Sequence, residues 1–203
     1  MLFRSSGHEL LDGRRFSRVL IDEATQATEP AALVPLVRGA RQIVLIGDHR
    51  QLPPTVISQR AENGGLNRSL FERLVEMGIE PLLLRTQYRM HPAISAFPNG
   101  HFYDDLLEDG VTSEDRPTPA GLLWPDWDMP IAFLPVTGGE VKAPDGASKE
   151  NPTEAAWIAR LLEGLLDAGE LRQKDIGIIT PYAGQVRAIR DSIPERYDGV
   201  EVR

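Results

Sequence analysis

Two stretches of the chain are unbroken apolar runs that end on an acid, Val19-Leu20-Ile21-Asp22 and the segment "QIVLIGD" from Gln42 to Asp48. Continuous rather than alternating apolar residues over this length predict short strands buried on both faces. Between them, "TQATEPAALVPLVRGA" places Pro30 where a first helical turn tolerates it and Gly39 where a helix stops. The pattern is a β-α-β unit, so the two strands are expected to run parallel. In such sheets ligands lie outside the carboxyl ends of the strands, where Asp22, Glu23 and Asp48 fall.

Further on, Asn67 to Met77 predicts a helix ended by Gly78, and "PLLLRTQYRMHP" predicts a strand running into a turn. From Asp104 to Pro130 no period is sustained. Acids, prolines and two tryptophans there predict a long irregular crossing. Order resumes with an expected strand, "IAFLPV". Asn151-Pro152-Thr153-Glu154 then reads as a helix start, with Asn at the cap, Pro at the first position and Glu at the third. That helix carries Ile158, Leu161, Leu162, Leu165 and Leu166 on one face and stops at Gly169. A buried strand, "DIGIIT", leads through Pro181 to a helix near "GQVRAIRD", and "VEVR" reads as the start of a strand.

Composition narrows the class. The 203 residues, 41% of them apolar, suffice for a core, and cysteine is absent. The start "MLFRSSGHELLDGRR" lacks a signal-like apolar stretch, and no run approaches the roughly 18 apolar residues of a membrane span. The expectation is an intracellular protein, cytoplasmic or nuclear, with no membrane partner. A net charge of −8 argues against coating nucleic acid by bulk electrostatics, while leaving local basic grooves open.

The acidic pair Asp22-Glu23 fits magnesium held through water and a carboxylate that orients or deprotonates an attacking water. Alone, the pair fits a solvated turn equally well. The second strand end adds weight: "GDHRQLPP" sets an acid, basic-capable side chains and Gln51 in a proline-stiffened loop beside the first site. A third stretch, "QYRMHP", supplies an arginine able to neutralise phosphate charge next to a tyrosine able to stack on a base.

In that order and spacing, "DEATQ", "GDHRQLPP" and "QYRMHP" resemble motifs II, III and IV of superfamily 1 helicases, and most of all the Upf-like group that regulates nonsense transcripts. The likeness continues through "SLFERLVEMGI", "FPNGHFYDDLLEDGV", "NPTEAA" and "IGIITPYAGQ". It implies an α/β protein of RecA-like parallel-sheet lobes with the P-loop NTPase fold. Residues 1–85 would be the C-terminal part of lobe 1A, and 86–203 would be lobe 2A, truncated before the late motifs. By the same resemblance, Asp22 would hold Mg2+ and Glu23 would activate the water. Gln51 would sense the terminal phosphate of ATP, Arg89 would act on it as a finger, and Tyr88 would stack on the adenine. Thr180, Pro181 and Tyr182 would touch the nucleic-acid backbone. The implied activity is ATP-driven, 5′-to-3′ movement on single-stranded RNA, with DNA as the alternative track and protein regulators unspecified.

A phosphate cradle of the form G-x-x-x-x-G-K-[ST] is expected upstream of Asp22, and neither Gly7 nor Gly13 begins or ends one. The isolated chain is therefore expected to be inactive, and a non-catalytic remnant or truncated gene-model product is the rival reading. A P-loop kinase or small GTPase does not account for "QYRMHP". The four histidines, His8, His49, His91 and His101, lack the partner spacing of a zinc site, and packing or hydrogen bonding is expected of them. Trp124, Trp127 and Trp157 are likewise expected to pack rather than stack on bases, and "DDLLEDG" to be a solvated turn.

Overall fold

The computed structural model describes residues 11–144 and 146–203, so Gly7 and His8 lie outside the described residues. The chain divides into two compact units, Met1–Leu83 and Leu84–Arg203.

In the first unit, β1 (Arg18–Ile21) pairs in parallel with β2 (Gln42–Leu45), in the register Val19 to Ile43 and Ile21 to Leu45. The crossover is α1 (Glu29–Leu36), with Pro30 in its first turn and Gly39 at φ 98° in the turn beyond its end. Two further helices follow, α2 (Gln59–Asn63) and α3 (Leu70–Glu76). Helix α3 is capped by Ser69, whose side chain accepts from Glu72 N, so it begins three residues later than the apolar pattern suggests. The core gathers Ile21, Ala24, Ala32 and Leu70, against which Val19, Leu45 and Phe71 pack.

The expectation of strands buried on both faces does not hold. Side chains alternate across a strand, and only the face carrying Val19 and Ile21 is covered. Leu20 and Val44, on the other, are 63% and 52% exposed.

The second unit holds three small sheets. Strand β3 (Thr86–Gln87) pairs in parallel with β4 (Glu108–Asp109), and between them runs α4 (Pro92–Phe102), which the apolar pattern did not reveal. Strands β5 (Val141–Lys142) and β6 (Lys149–Glu150) form an antiparallel hairpin. Helix α5 (Pro152–Asp167) starts where its cap predicts: Asn151 Oδ1 accepts from the N–H groups of Thr153 and Glu154. It ends before Gly169, at φ 79°. Strand β7 (Gly177–Ile178), helix α6 (Ala183–Ser192) and strand β8 (Glu201–Val202) complete a second β-α-β crossover, with β7 and β8 parallel. The core between α5 and α6 centres on Ala155, Ile189 and Val202, and a neighbouring cluster on Leu162, Tyr197 and Val200.

Three apolar runs do not become the strands they suggest. Leu82 to Leu84 and Ile131 to Val136 are not in strands, and "DIGIIT" keeps only Gly177–Ile178. Apolar content alone does not make a strand; each backbone N–H and C=O also needs a ladder partner. Phe133 is accordingly 88% exposed and Ile179 87%. The segment "DDLLEDG" is also more than a solvated turn. Asp104 and Asp105 take positive φ values of 52° and 59° to turn the chain, but Glu108–Asp109 then enters the β3–β4 sheet.

An ion pair ties α1 to α3. Arg73 donates to both carboxylate oxygens of Glu29, at 2.8 and 3.0 Å from Nε and 2.6 Å from Nη2. The hydrogen bond from Arg73 holds the Glu29 carboxyl below its ordinary value. Arg73 stays charged throughout, so Glu29 is the partner that titrates. Its stabilisation is therefore present above the unfolded-state carboxylate pKa and is lost as pH falls through the depressed folded value. We expect Glu29→Gln to lower stability by about 1 kcal/mol or less at neutral pH. Thermal melts of the two proteins should converge as the pH is brought below the carboxylate range; a gap that persisted there would mean that packing, not charge, holds the pair.

Candidate functional site

Strand β1 ends at Ile21, and the chain must turn at once to enter the 3-10 turn Ala24–Gln26. Glu23 makes that turn with a left-handed φ of 51°, a costly conformation for a residue with a Cβ. Local bonds offset the cost. Glu23 N donates to Asp22 Oδ1 at 3.0 Å, and Ala24 N donates to Ile46 O at 2.8 Å. Ala24 and Thr25 are buried, whereas Asp22 and Glu23 face solvent. Gln26 Nε2 donates to Glu23 Oε2 at 3.1 Å, which orients that carboxylate.

The end of β2 is stitched to this turn. Asp48 N donates to Thr25 Oγ1 at 3.3 Å. Gly47 lies so close that a Cβ there would sit 3.0 Å from the Thr25 backbone nitrogen. Asp48 in turn organises its own loop: Oδ1 accepts from Arg50 N and Oδ2 from Gln51 Nε2, both at 2.9 Å. His49 stacks on Phe71, ring centroids 6.0 Å apart, which is the packing role expected of it. Asp22, Glu23 and Gln51 thus stand exposed on loops leaving the same edge of one parallel pair. Asp22 Oδ2 accepts no hydrogen bond from the described residues. Such an exposed hard oxygen fits magnesium, which takes one or two carboxylates and completes its shell with water and phosphate oxygens. Among the described residues no group of three acids, histidines or cysteines forms a cage for a metal.

In the second unit, the loop after β3 presents Tyr88, 63% exposed, and Arg89, also exposed. The Arg89 guanidinium makes no hydrogen bond or ion pair with the described residues, while its backbone is held on every side. Gln87 Oε1 accepts from Arg89 N at 2.9 Å and Met90 N at 2.7 Å; Gln87 Nε2 donates to Met90 O at 2.9 Å and Asp109 Oδ1 at 2.6 Å. Arg116, from the irregular crossing, donates from Nη2 to Tyr88 O at 2.8 Å and from Nε to Arg89 O at 3.2 Å. His91 caps α4, Nδ1 accepting from Ala93 N at 3.0 Å. The Tyr88 ring lies against Gly110, where a side chain would collide with it.

Thr180, Pro181 and Tyr182 follow β7. Thr180 N donates to Arg203 O at 2.8 Å, extending the ladder, and Tyr182, 44% exposed, leads into α6. Behind them the buried Gln185 accepts from Asn151 N at 2.6 Å and donates to Asn151 O at 3.3 Å, joining the starts of α5 and α6. Trp157 carries the Arg160 guanidinium 5.7 Å above its ring, and Trp124 Nε1 donates to Pro119 O at 2.7 Å, so both have partners within the chain.

Gln87, Asp109, Arg116, Thr25 and Gln185 were not apparent from the sequence as members of these loops. For Gln87, Thr25, Asp109 and Gln185 a signal existed, since each lies inside a stretch already singled out for its neighbours. For Arg116 none did.

Comparison with known proteins gives a consistent result. One family model described as an AAA domain matches residues 66–203, and a second of the same description matches residues 3–59. The regulator of nonsense transcripts 1 homolog of Drosophila melanogaster is 47% identical over 178 residues, which cover 86% of this chain and 15% of that protein. The Arabidopsis thaliana homolog is 48% identical over 176 residues, covering 86% of this chain and 14% of the relative. The ATP-dependent helicase NAM7 of Saccharomyces cerevisiae is 43% identical over 181 residues, covering 89% and 18%. The chain therefore spans about a sixth of the length of the curated relatives it matches, is similar over that span to regulators of nonsense transcripts, and belongs to the AAA-domain family, whose matches imply a P-loop NTPase fold.

Proposed function

We propose that this chain forms part of the motor of an ATP-dependent helicase that moves 5′-to-3′ on single-stranded nucleic acid, RNA before DNA. Residues 1–85 would belong to one RecA-like lobe, 1A, and 86–203 to the second, 2A. The observation that carries the reading is the shared carboxyl edge of β1 and β2, where Asp22, Glu23 and Gln51 emerge exposed and mutually stitched through Thr25 and Asp48. The resemblance of the motifs and the ATP-dependent helicases among the relatives support it.

Each residue then has a task. Magnesium, when bound, would neutralise charge on the β- and γ-phosphates, and Asp22 is the carboxylate that would hold it. Glu23 orients and deprotonates the attacking water, with Gln26 fixing the carboxylate's rotamer. Gln51 reads the terminal phosphate, exchanging its bond to Asp48 for one to a phosphate oxygen. Arg89 supplies the positive charge of an arginine finger, and its guanidinium, unpaired by any of the described residues, is available for that. Tyr88 offers a ring to the adenine. Thr180, Pro181 and Tyr182 are the proposed contacts to the nucleic-acid backbone, beside a strand end of the second unit.

Three outcomes test this. In the full-length parent, Glu23→Gln keeps shape and hydrogen bonding but removes the base. We expect hydrolysis to fall about a hundredfold or more while nucleotide and strand binding survive; equal loss of ATP affinity would assign Glu23 a binding role instead. Tyr88→Ala should raise the KM for ATP by an amount equivalent to roughly 1–3 kcal/mol of stacking, with Tyr88→Phe nearly silent. A severe defect in the phenylalanine variant would implicate the hydroxyl. Finally, a polypeptide of these 203 residues contains no G-x-x-x-x-G-K-[ST] loop. It should show no ATPase above background with or without single-stranded RNA, and RNA-stimulated turnover would refute that expectation.

A further inference from the structure

The crossing from Asp104 to Pro130 contains little regular structure, yet one of its side chains reaches back to the loop that carries Tyr88 and Arg89. Arg116 spends its guanidinium on main-chain carbonyls: Nη2 on Tyr88 O at 2.8 Å, Nε on Arg89 O at 3.2 Å, and Nη1 on Asp115 O at 2.9 Å. No ion pair competes for it among the described residues.

The base of this arm is itself a closed turn. Asp115 Oδ2 accepts from Thr112 N at 2.8 Å and Thr112 Oγ1 at 2.9 Å, while Asp115 N donates back to Thr112 Oγ1 at 3.3 Å. These bonds from Thr112 hold the Asp115 carboxyl below its ordinary value.

We propose that Arg116 is a positioning residue for the nucleotide site: by gripping the Tyr88 and Arg89 carbonyls, while the Gln87 side chain grips the Arg89 and Met90 amides, it fixes the backbone from which the exposed Tyr88 ring and Arg89 guanidinium project. The two grips divide the loop's backbone between them. Gln87 takes Arg89 N, Met90 N and Met90 O, and Arg116 takes Tyr88 O and Arg89 O. With those groups satisfied, neither functional side chain is drawn back onto its own loop. A planar guanidinium suits the task because it presents donors in a fixed fork; the point charge of a lysine cannot address both carbonyls with fixed geometry. The inference rests on the roles proposed above for Tyr88 and Arg89, and extends them to a residue 27 positions away in sequence.

The test is a set of double-mutant cycles in the full-length parent, read in the KM for ATP and in kcat. Arg116→Ala should lower kcat about tenfold or more, as expected when a catalytic group shifts by about an ångström, and should also raise KM. Arg116→Lys should recover little of either. The kcat loss should vanish in an Arg89→Ala background and the KM rise in a Tyr88→Ala background, because Arg116 then has no side chain left to position. Unchanged kcat and KM in Arg116→Ala, full recovery by lysine, or losses that simply multiply in both backgrounds would each overturn the proposal. Silence of Arg89→Ala and Tyr88→Ala themselves would refute the proposed function and not the grip. Should Arg116→Ala fail to fold, Arg116→Lys carries the same cycles.

Discussion

Parallel strand pairing is the constraint on which the rest of this molecule depends. Two parallel neighbours cannot be joined by a tight hairpin; the chain must cross over, so both strands end at the same edge. Here β1 pairs with β2, β3 with β4 and β7 with β8, each pair parallel and each separated by a helix. Every residue given a chemical role leaves one of those carboxyl ends. Asp22 and Glu23 follow β1, Gln51 follows β2, Tyr88 and Arg89 follow β3, and Thr180 to Tyr182 follow β7. The hydrogen bonds of a few short ladders thus decide where four separate stretches of sequence present their side chains.

A strand end is a difficult place to hold a side chain still, because the ladder that ordered the backbone has just stopped. Each loop solves this with polar side chains that stand in for missing ladder partners. Thr25 receives the Asp48 amide, Asp48 receives Arg50 and Gln51, Gln87 receives Arg89 and Met90, and Arg116 supplies the carbonyls beside them. Of the residues that satisfy backbone groups, Thr25, Asp48 and Gln87 are buried or half-buried and Arg116 is exposed, whereas Glu23, Gln51, Tyr88 and Arg89 all remain exposed. At Glu23 the arrangement even sustains a left-handed backbone, a conformation that persists in a non-glycine residue only when its surroundings over-determine it.

How much of this could be read from the sequence follows from which forces are local. The β1-α1-β2 crossover and the start of α5 were legible, since a proline in the first turn, an asparagine cap and a terminating glycine each act within a few residues. Strand status for Leu82 to Leu84 and Ile131 to Val136 was read wrongly, because it depends on a partner elsewhere and apolar composition carries no record of one. Helix α4 was missed for a related reason. Its core-facing residue is Ser95, buried and donating to Asp109 Oδ1 at 2.6 Å, while Phe97 on its surface is 70% exposed, so the hydrophobic pattern ran against the burial.

The same distinction separates the residues proposed for chemistry from those that hold them. The residues proposed for chemistry, Asp22-Glu23 and Gln51 in the first unit and Tyr88-Arg89 in the second, each sit in a compact motif at a strand end. A residue that braces such a motif has no need to be near it in sequence; it needs only the right reach. Asp109 meets Gln87 from 22 positions away and Arg116 meets Tyr88 from 28. Arg116 is also of an ordinary type, one arginine in an acidic, proline-rich tract outside the motifs, so spacing offers no handle on it. Segment 104–130 keeps most of its side-chain bonds within itself, as between Thr112 and Asp115 and between Thr118 and Trp127, and sends out Asp109 and Arg116: it forms little regular structure of its own while those two residues brace the loop after β3.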